Sequence, residues 1–144
     1  MESYISKDLL IQEIFHGIFA IPFAYLLWKK TKSSKSALSV IALSYAIDLD
    51  HLVDYFAYYG VTFNLSEFLS GIYFELTRRA YVPFHAWEWV IALAFLSYKK
   101  GRKSVFTLIL FALLPHLIYD SITVGSIVFY SIIYRASSGF TNLN

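Results

Sequence analysis

Residues 46–56 read Ala46-Ile47-Asp48-Leu49-Asp50-His51-Leu52-Val53-Asp54-Tyr55-Phe56, placing three carboxylates and an imidazole within seven positions of an apolar run. At about 100° per residue, Asp50, Asp54, His51, Ser44 and Asp48 fall on one helical arc of roughly 160°. Leu52, Phe56, Leu49 and Val53 take the other side, and only Ile47 intrudes on the polar arc. The stretch therefore predicts a helix, residues 37–59, with one polar face turned inward.

The surrounding composition makes that helix a membrane span. Hydrophobic residues form 58% of the 144-residue chain and aromatics 19%; mean hydropathy is +0.55. Soluble domains hold roughly 45–50% apolar residues. Many rings lie at the ends of apolar runs, where the membrane–water boundary favours them. A net charge of +2, with the basic residues in two short clusters, argues against a nucleic-acid partner. With no cysteine, any metal must be held by His and carboxylate.

Working outward, residues 9–28 form a first apolar run long enough to cross about 30 Å of hydrocarbon. The N-terminal MESYISKDLL lacks a basic region and a small-residue cleavage site, so this run reads as a retained anchor. Residues 60–80 mix Glu67, Glu75, Arg78 and Arg79 with Phe, Leu and Tyr, which predicts a loop with a short interfacial helix. A third helix is expected over 82–98 and a fourth over 104–124, extensible to Tyr134 and bent at Pro115. The expected fold is all-α: one membrane domain, 1–144, of four transmembrane helices plus the interfacial helix.

Eight of the 12 Lys and Arg residues lie in 29–35 and 99–103, which this topology puts on one side. That side should be cytoplasmic. Lys7, Arg78, Arg79 and Arg135, both termini and the 60–80 loop should then lie outside.

Each remaining helix carries its own ionisable residues: His16 in the first, His85 and Glu88 in the third, His116 and Asp120 in the fourth. Measured from the basic end at about 1.5 Å per residue, His16 and His116 lie at about 18 Å, Asp48 at about 16 Å, His51 and His85 at about 21 Å, and Asp120 at about 24 Å. Four antiparallel helices thus bring these groups to one level. An aspartate at a helix centre costs about 2.5–3.5 kcal/mol on insertion scales, so partners must compensate. The pairs Asp48/His51, His85/Glu88 and His116/Asp120 have the i,i+3 or i,i+4 spacing that puts two side chains on one face.

The donor set suits zinc, with manganese or iron as alternatives. His16, Asp48, His51, His85, His116 and Asp120 are the expected ligands, for one ion or two. Asp50 or Glu88 is the expected general base, with Asp50 and Asp54 also placed to orient a histidine. Arg78 and Arg79 at the outer boundary are expected to receive a phosphate.

Four short motifs together, His16, Asp48-x-Asp50-His51, His85 and Leu114–Thr123 (LPHLIYDSIT), resemble the YdjM-type family of membrane-bound metal-dependent hydrolases. The chain departs from that pattern at Ile47, where the family usually has Pro, and at Ala80-Tyr81, where it usually has His-Arg. The resemblance implies a prokaryotic inner-membrane hydrolase. The His-x-x-x-Asp usage is also similar to that of all-helical zinc phospholipase C enzymes. The expected activity is hydrolysis of a phospholipid or lipid-linked phosphoester by a metal-activated water, with membrane lipid as partner and self-association left open. The competing reading is a metal-cation or proton-coupled transporter or channel subunit using the same cluster.

Overall fold

The computed structural model describes residues 7–141 and is helical, with no strand among the described residues beyond one isolated bridge between Arg79 and Thr141. The expectation for the extreme N-terminus falls on residues 1–6, outside the described part. Helix α1 spans Lys7–Thr31 and α2 spans Ser34–Ala46. A 3-10 turn, Ile47–Asp50, joins α2 to α3, His51–Tyr59. Two short helices follow, α4 at Leu65–Ser70 and α5 at Ile72–Thr77, then α6 at Trp87–Lys100 and α7 at Val105–Val124. A 3-10 turn at Val128–Tyr130 and α8 at Ile132–Ser137 complete the order.

Three stretches are long and apolar enough to cross a membrane: Ile11–Thr31, Ser34–Tyr59 and Val105–Val124. Their outward faces remain greasy. On α1 alone Ile11, Ile14, Phe15, Ile18, Ile21 and Tyr25 are exposed, as a lipid-facing stripe requires.

The third expected span is not of that length. Helix α6 begins only at Trp87, five residues later than expected, and its 14 residues reach about 21 Å. Pro83 explains the late start, because the residue before a proline is pushed away from helical backbone. Val82 has a φ of +29°. The amides of this segment are instead taken up by aspartates from the opening motif. Tyr81 N and Val82 N donate to the Asp54 carboxylate at 2.7 and 3.0 Å, and Phe84 N donates to Asp50 Oδ2 at 2.6 Å.

Two further expectations change in detail. The 60–80 segment holds two short helices rather than one, separated by Gly71 in the left-handed region at φ +65°. Helix α7 continues through Pro115 but stops at Val124, capped by Gly125 at φ +73° rather than extending to Tyr134.

One core cluster joins Ala20, Ala24 and Leu27 of α1 to Val40 of α2 and Ala112 of α7. The small side chains let the helices approach closely. This packing sets the start of α7 beside the α1–α2 turn, so both basic clusters share one end of the bundle. A second cluster, Ala80, Val82, Leu113, Leu117, Phe129 and Tyr130, packs the 78–86 segment and the C-terminal turn against α7. The ionisable residues lie beyond the first cluster, away from the basic end.

Candidate metal centre

Asp48 sits in the 3-10 turn, and His51 opens α3 directly after that turn. A mid-helix 3-10 segment changes the angular step between residues and commonly marks a functional position. Here it separates the roles of the aspartates. Asp48 turns toward His85 and His116, whereas Asp50 and Asp54 turn toward the 78–86 segment.

Four donor atoms form the heart of the cluster. His85 Nε2 and His116 Nε2 lie 2.9 Å apart. Asp48 Oδ1 is 3.3 Å from His85 Nε2 and 3.5 Å from His116 Nε2. Asp120 Oδ2 is 3.5 and 3.2 Å from the same two nitrogens. Around a tetrahedral ion with bonds of about 2.0–2.2 Å, neighbouring donors sit about 3.3–3.6 Å apart. Three of the five spacings fall in that range, and the other two, 3.2 and 2.9 Å, are shorter. Asp120 Oδ2 is also buried and makes no well-aligned hydrogen bond with the imidazoles beside it. An oxygen left this way costs about 1–3 kcal/mol unless something else satisfies it. These residues can hold a metal ion, and the donor chemistry fits one.

The other two expected ligands flank this set. His16 stacks on His116 with ring centroids 4.1 Å apart, and its Nε2 lies 2.7 Å from Asp120 Oδ1. His51 stacks on His85 at 5.1 Å, with Nε2 3.8 Å from Asp48 Oδ1. Its side chain is 30% exposed, the most open of the four imidazoles. All six expected ligands thus fall within three overlapping groups able to share an ion: His16/Asp48/His116, Asp48/His51/His85 and His85/His116/Asp120.

The expected general bases lie elsewhere. Asp50 accepts from His85 Nδ1 at 3.0 Å and from Phe84 N, fixing the ring so that Nε2 faces the cluster. It is a positioning residue. Glu88 does not share a face with His85, because His85 precedes α6. Its carboxylate accepts from Ser131 Oγ, Ile132 N and Ile133 N, capping the start of α8. Arg78 and Arg79 are exposed, and the Arg79 guanidinium reaches only the Tyr81 hydroxyl at 3.5 Å.

Arg135, counted from the sequence as an outer-side charge, is completely buried. Its guanidinium donates to the carbonyls of His85 at 2.9 Å, Val82 at 3.1 Å and Phe129 at 3.2 Å, clamping the segment that carries His85. The available signal was a lone cation in the apolar run after Val124; charge counting treated it as topology.

A cavity of about 460 Å³ opens onto the cluster. His16, Asp48, His51, His85 and Asp120 line it on one side; Phe68, Leu69, Phe74, Tyr119, Val124 and Phe129 supply apolar wall. The α4–α5 segment forms part of that wall.

No family model, curated protein or solved structure matches this chain.

Proposed function

We propose that the protein is a membrane-embedded metal-dependent hydrolase acting on a phospholipid or lipid-linked phosphoester. The observation that carries this reading is the convergence of His85, His116, Asp48 and Asp120 donors beside an apolar-walled cavity that His85, Asp48 and Asp120 line. Zinc suits two imidazoles and two carboxylates best. A divalent ion held by this cluster with one coordination position left to water would act as a Lewis acid and lower the pKa of that water toward about 7. Asp50 and Arg135 hold His85 in register, and the apolar wall takes an acyl or prenyl chain while excluding bulk water. His51, beside Asp48 and the most exposed of the four imidazoles, takes the general-base role expected of Asp50 or Glu88, accepting the water's proton and passing it to the departing oxygen. The motif resemblance to YdjM-type hydrolases supports the same class.

The cavity lining includes none of the Ala20, Ala24, Leu27, Val40 and Ala112 core toward the basic end. A recess that ends on packed side chains favours an enzyme over a conduit. With the basic end cytoplasmic, the recess faces the outer leaflet, and α6 with its preceding segment completes a fourth, shorter pass.

The test incubates zinc-loaded protein with a panel of phospholipids in mixed micelles and follows released phosphoesters by phosphorus NMR. Wild type should cleave at least one and His116→Ala none. Metal-loaded wild type that cleaves no phosphoester in the panel contradicts the assignment.

A further inference from the structure

Four protein donors fill a tetrahedral ion, and closed four-donor sites are the structural kind; catalysis needs an open position. The donors left over lie next to the first set, on the cavity side. His16 Nε2 lies 2.7 Å from Asp120 Oδ1, and Nδ1 is the ring nitrogen turned away from that contact. His16 is 5% exposed, and Nδ1 is buried without a hydrogen-bond partner. The atoms facing it are carboxylate oxygens. Asp48 Oδ2 lies 3.9 Å away, itself buried and unpartnered, and Glu13 Oε2 also lies 3.9 Å away, one helical turn before His16. Two carboxylate oxygens stand 3.9 Å from this nitrogen, beyond hydrogen-bond distance, with room for a cation between them.

We infer a second divalent-cation site formed by His16 Nδ1, Asp48 Oδ2 and Glu13 Oε2, with Asp48 bridging it to the ion held by its own Oδ1. This deepens the hydrolase reading and rests on it. The spacing matches the donor geometry: two donors of one ion with bonds of about 2.0–2.2 Å lie from about 3.3 Å apart at a tetrahedral angle to about 4 Å at a wider one. Glu13, His16 and Asp48 all line the cavity, so this ion meets the substrate. With three protein donors it keeps positions open for water and a phosphoryl oxygen. The inner ion, closed by four donors, then holds the charge of Asp48 and Asp120 in place. Paired ions about 3.5–4 Å apart are the common arrangement for displacement at phosphorus.

The chain's own electrostatics point the same way. Asp48, Asp120 and Glu13 bring three carboxylates to the two sites, whereas Arg135, the buried guanidinium, is turned toward backbone carbonyls. One divalent ion leaves a net charge of −1 among these three carboxylates, and a second removes it.

The experiment titrates detergent-purified, metal-free protein with Mn2+ alone, measuring bound metal per chain and the electron paramagnetic resonance spectrum. The Glu13 side chain is 41% exposed, so Glu13→Gln leaves packing intact. Wild type should bind two ions and give the exchange-coupled, many-line signal of a carboxylate-bridged pair. Glu13→Gln should bind one ion, with at least tenfold weaker uptake of a second, and show only the six-line signal of an isolated ion. A wild type that saturates at one ion overturns the second site, and the hydrolase reading is then decided by the phospholipid cleavage assay alone. Two ions with the coupled signal in both proteins remove Glu13 and overturn the site as assigned. No bound ion in wild type overturns both readings.

Discussion

Replacing Asp50 by Asn separates positioning from folding. The carboxylate touches two groups: His85 Nδ1 at 3.0 Å and Phe84 N at 2.6 Å. Asn keeps the volume and one acceptor oxygen, so the Phe84 amide stays satisfied, but the negative charge that fixes the His85 ring and raises its basicity is lost. Loss of such a partner typically costs 10–100-fold in metal affinity, about 1.4–2.7 kcal/mol. Asp54→Asn is the matched control. It lies one turn along the same face and also accepts backbone amides of the 78–86 segment, Tyr81 and Val82, but touches no imidazole. It should lower unfolding stability by about 1.5–3 kcal/mol per charge-assisted bond weakened, while changing metal affinity less than Asp50→Asn. Competition with a zinc-selective chelator gives the affinities, and thermal melts in detergent give the stabilities. If both variants lose metal affinity equally, or if Asp50→Asn binds like wild type, the argument that Asp50 aims His85 is refuted.

His116→Ala and Asp48→Ala each remove a donor from the four-atom set and should abolish metal retention after purification, which elemental analysis reports directly. Arg135→Met leaves three buried carbonyls without their donor and should lower the melting temperature sharply, whereas Arg135→Lys, with one ammonium for three acceptors, should recover only part of it. Because imidazole and carboxylate bind metal only when deprotonated, lowering the pH should release the ion, with retention rising toward neutral pH; dialysis at stepped pH values checks the sign. In intact cells, a membrane-impermeant maleimide should label Asn64→Cys and not Ser33→Cys, and the opposite pattern reverses the orientation read from the basic clusters.

The ligand set was legible in the sequence because its signals are local: ionisable residues in apolar surroundings, at one depth, in pairs with helical spacing. Depth counting placed His16, Asp48, His51, His85, His116 and Asp120 together before any side chain was positioned, and the three overlapping groups contain all six. The failures came where a side chain's partner lies far away in sequence. Glu88 looked like a companion of His85 because i,i+3 presumes a helix through both, but Pro83 and the Asp50 and Asp54 acceptors hold that stretch in a non-helical turn until Trp87. Its true partners, Ser131 to Ile133, lie more than forty residues away and carry no pattern that points back. Arg135 was hidden by the rule that reads cations as topology, and the 3-10 turn at Asp48 leaves no trace in hydrophobic periodicity. Glu13 escaped notice because it sits at the edge of the first apolar run, where a carboxylate needs no explanation.

X-ray absorption at the zinc edge of the metal-loaded protein tests the central claim most directly. A nitrogen and oxygen shell at about 2.0–2.1 Å, with the outer-shell scattering of imidazole that weakens in His116→Ala, is the predicted result. An oxygen-only shell without imidazole scattering, unchanged by the substitution, would show that the histidines do not hold the ion.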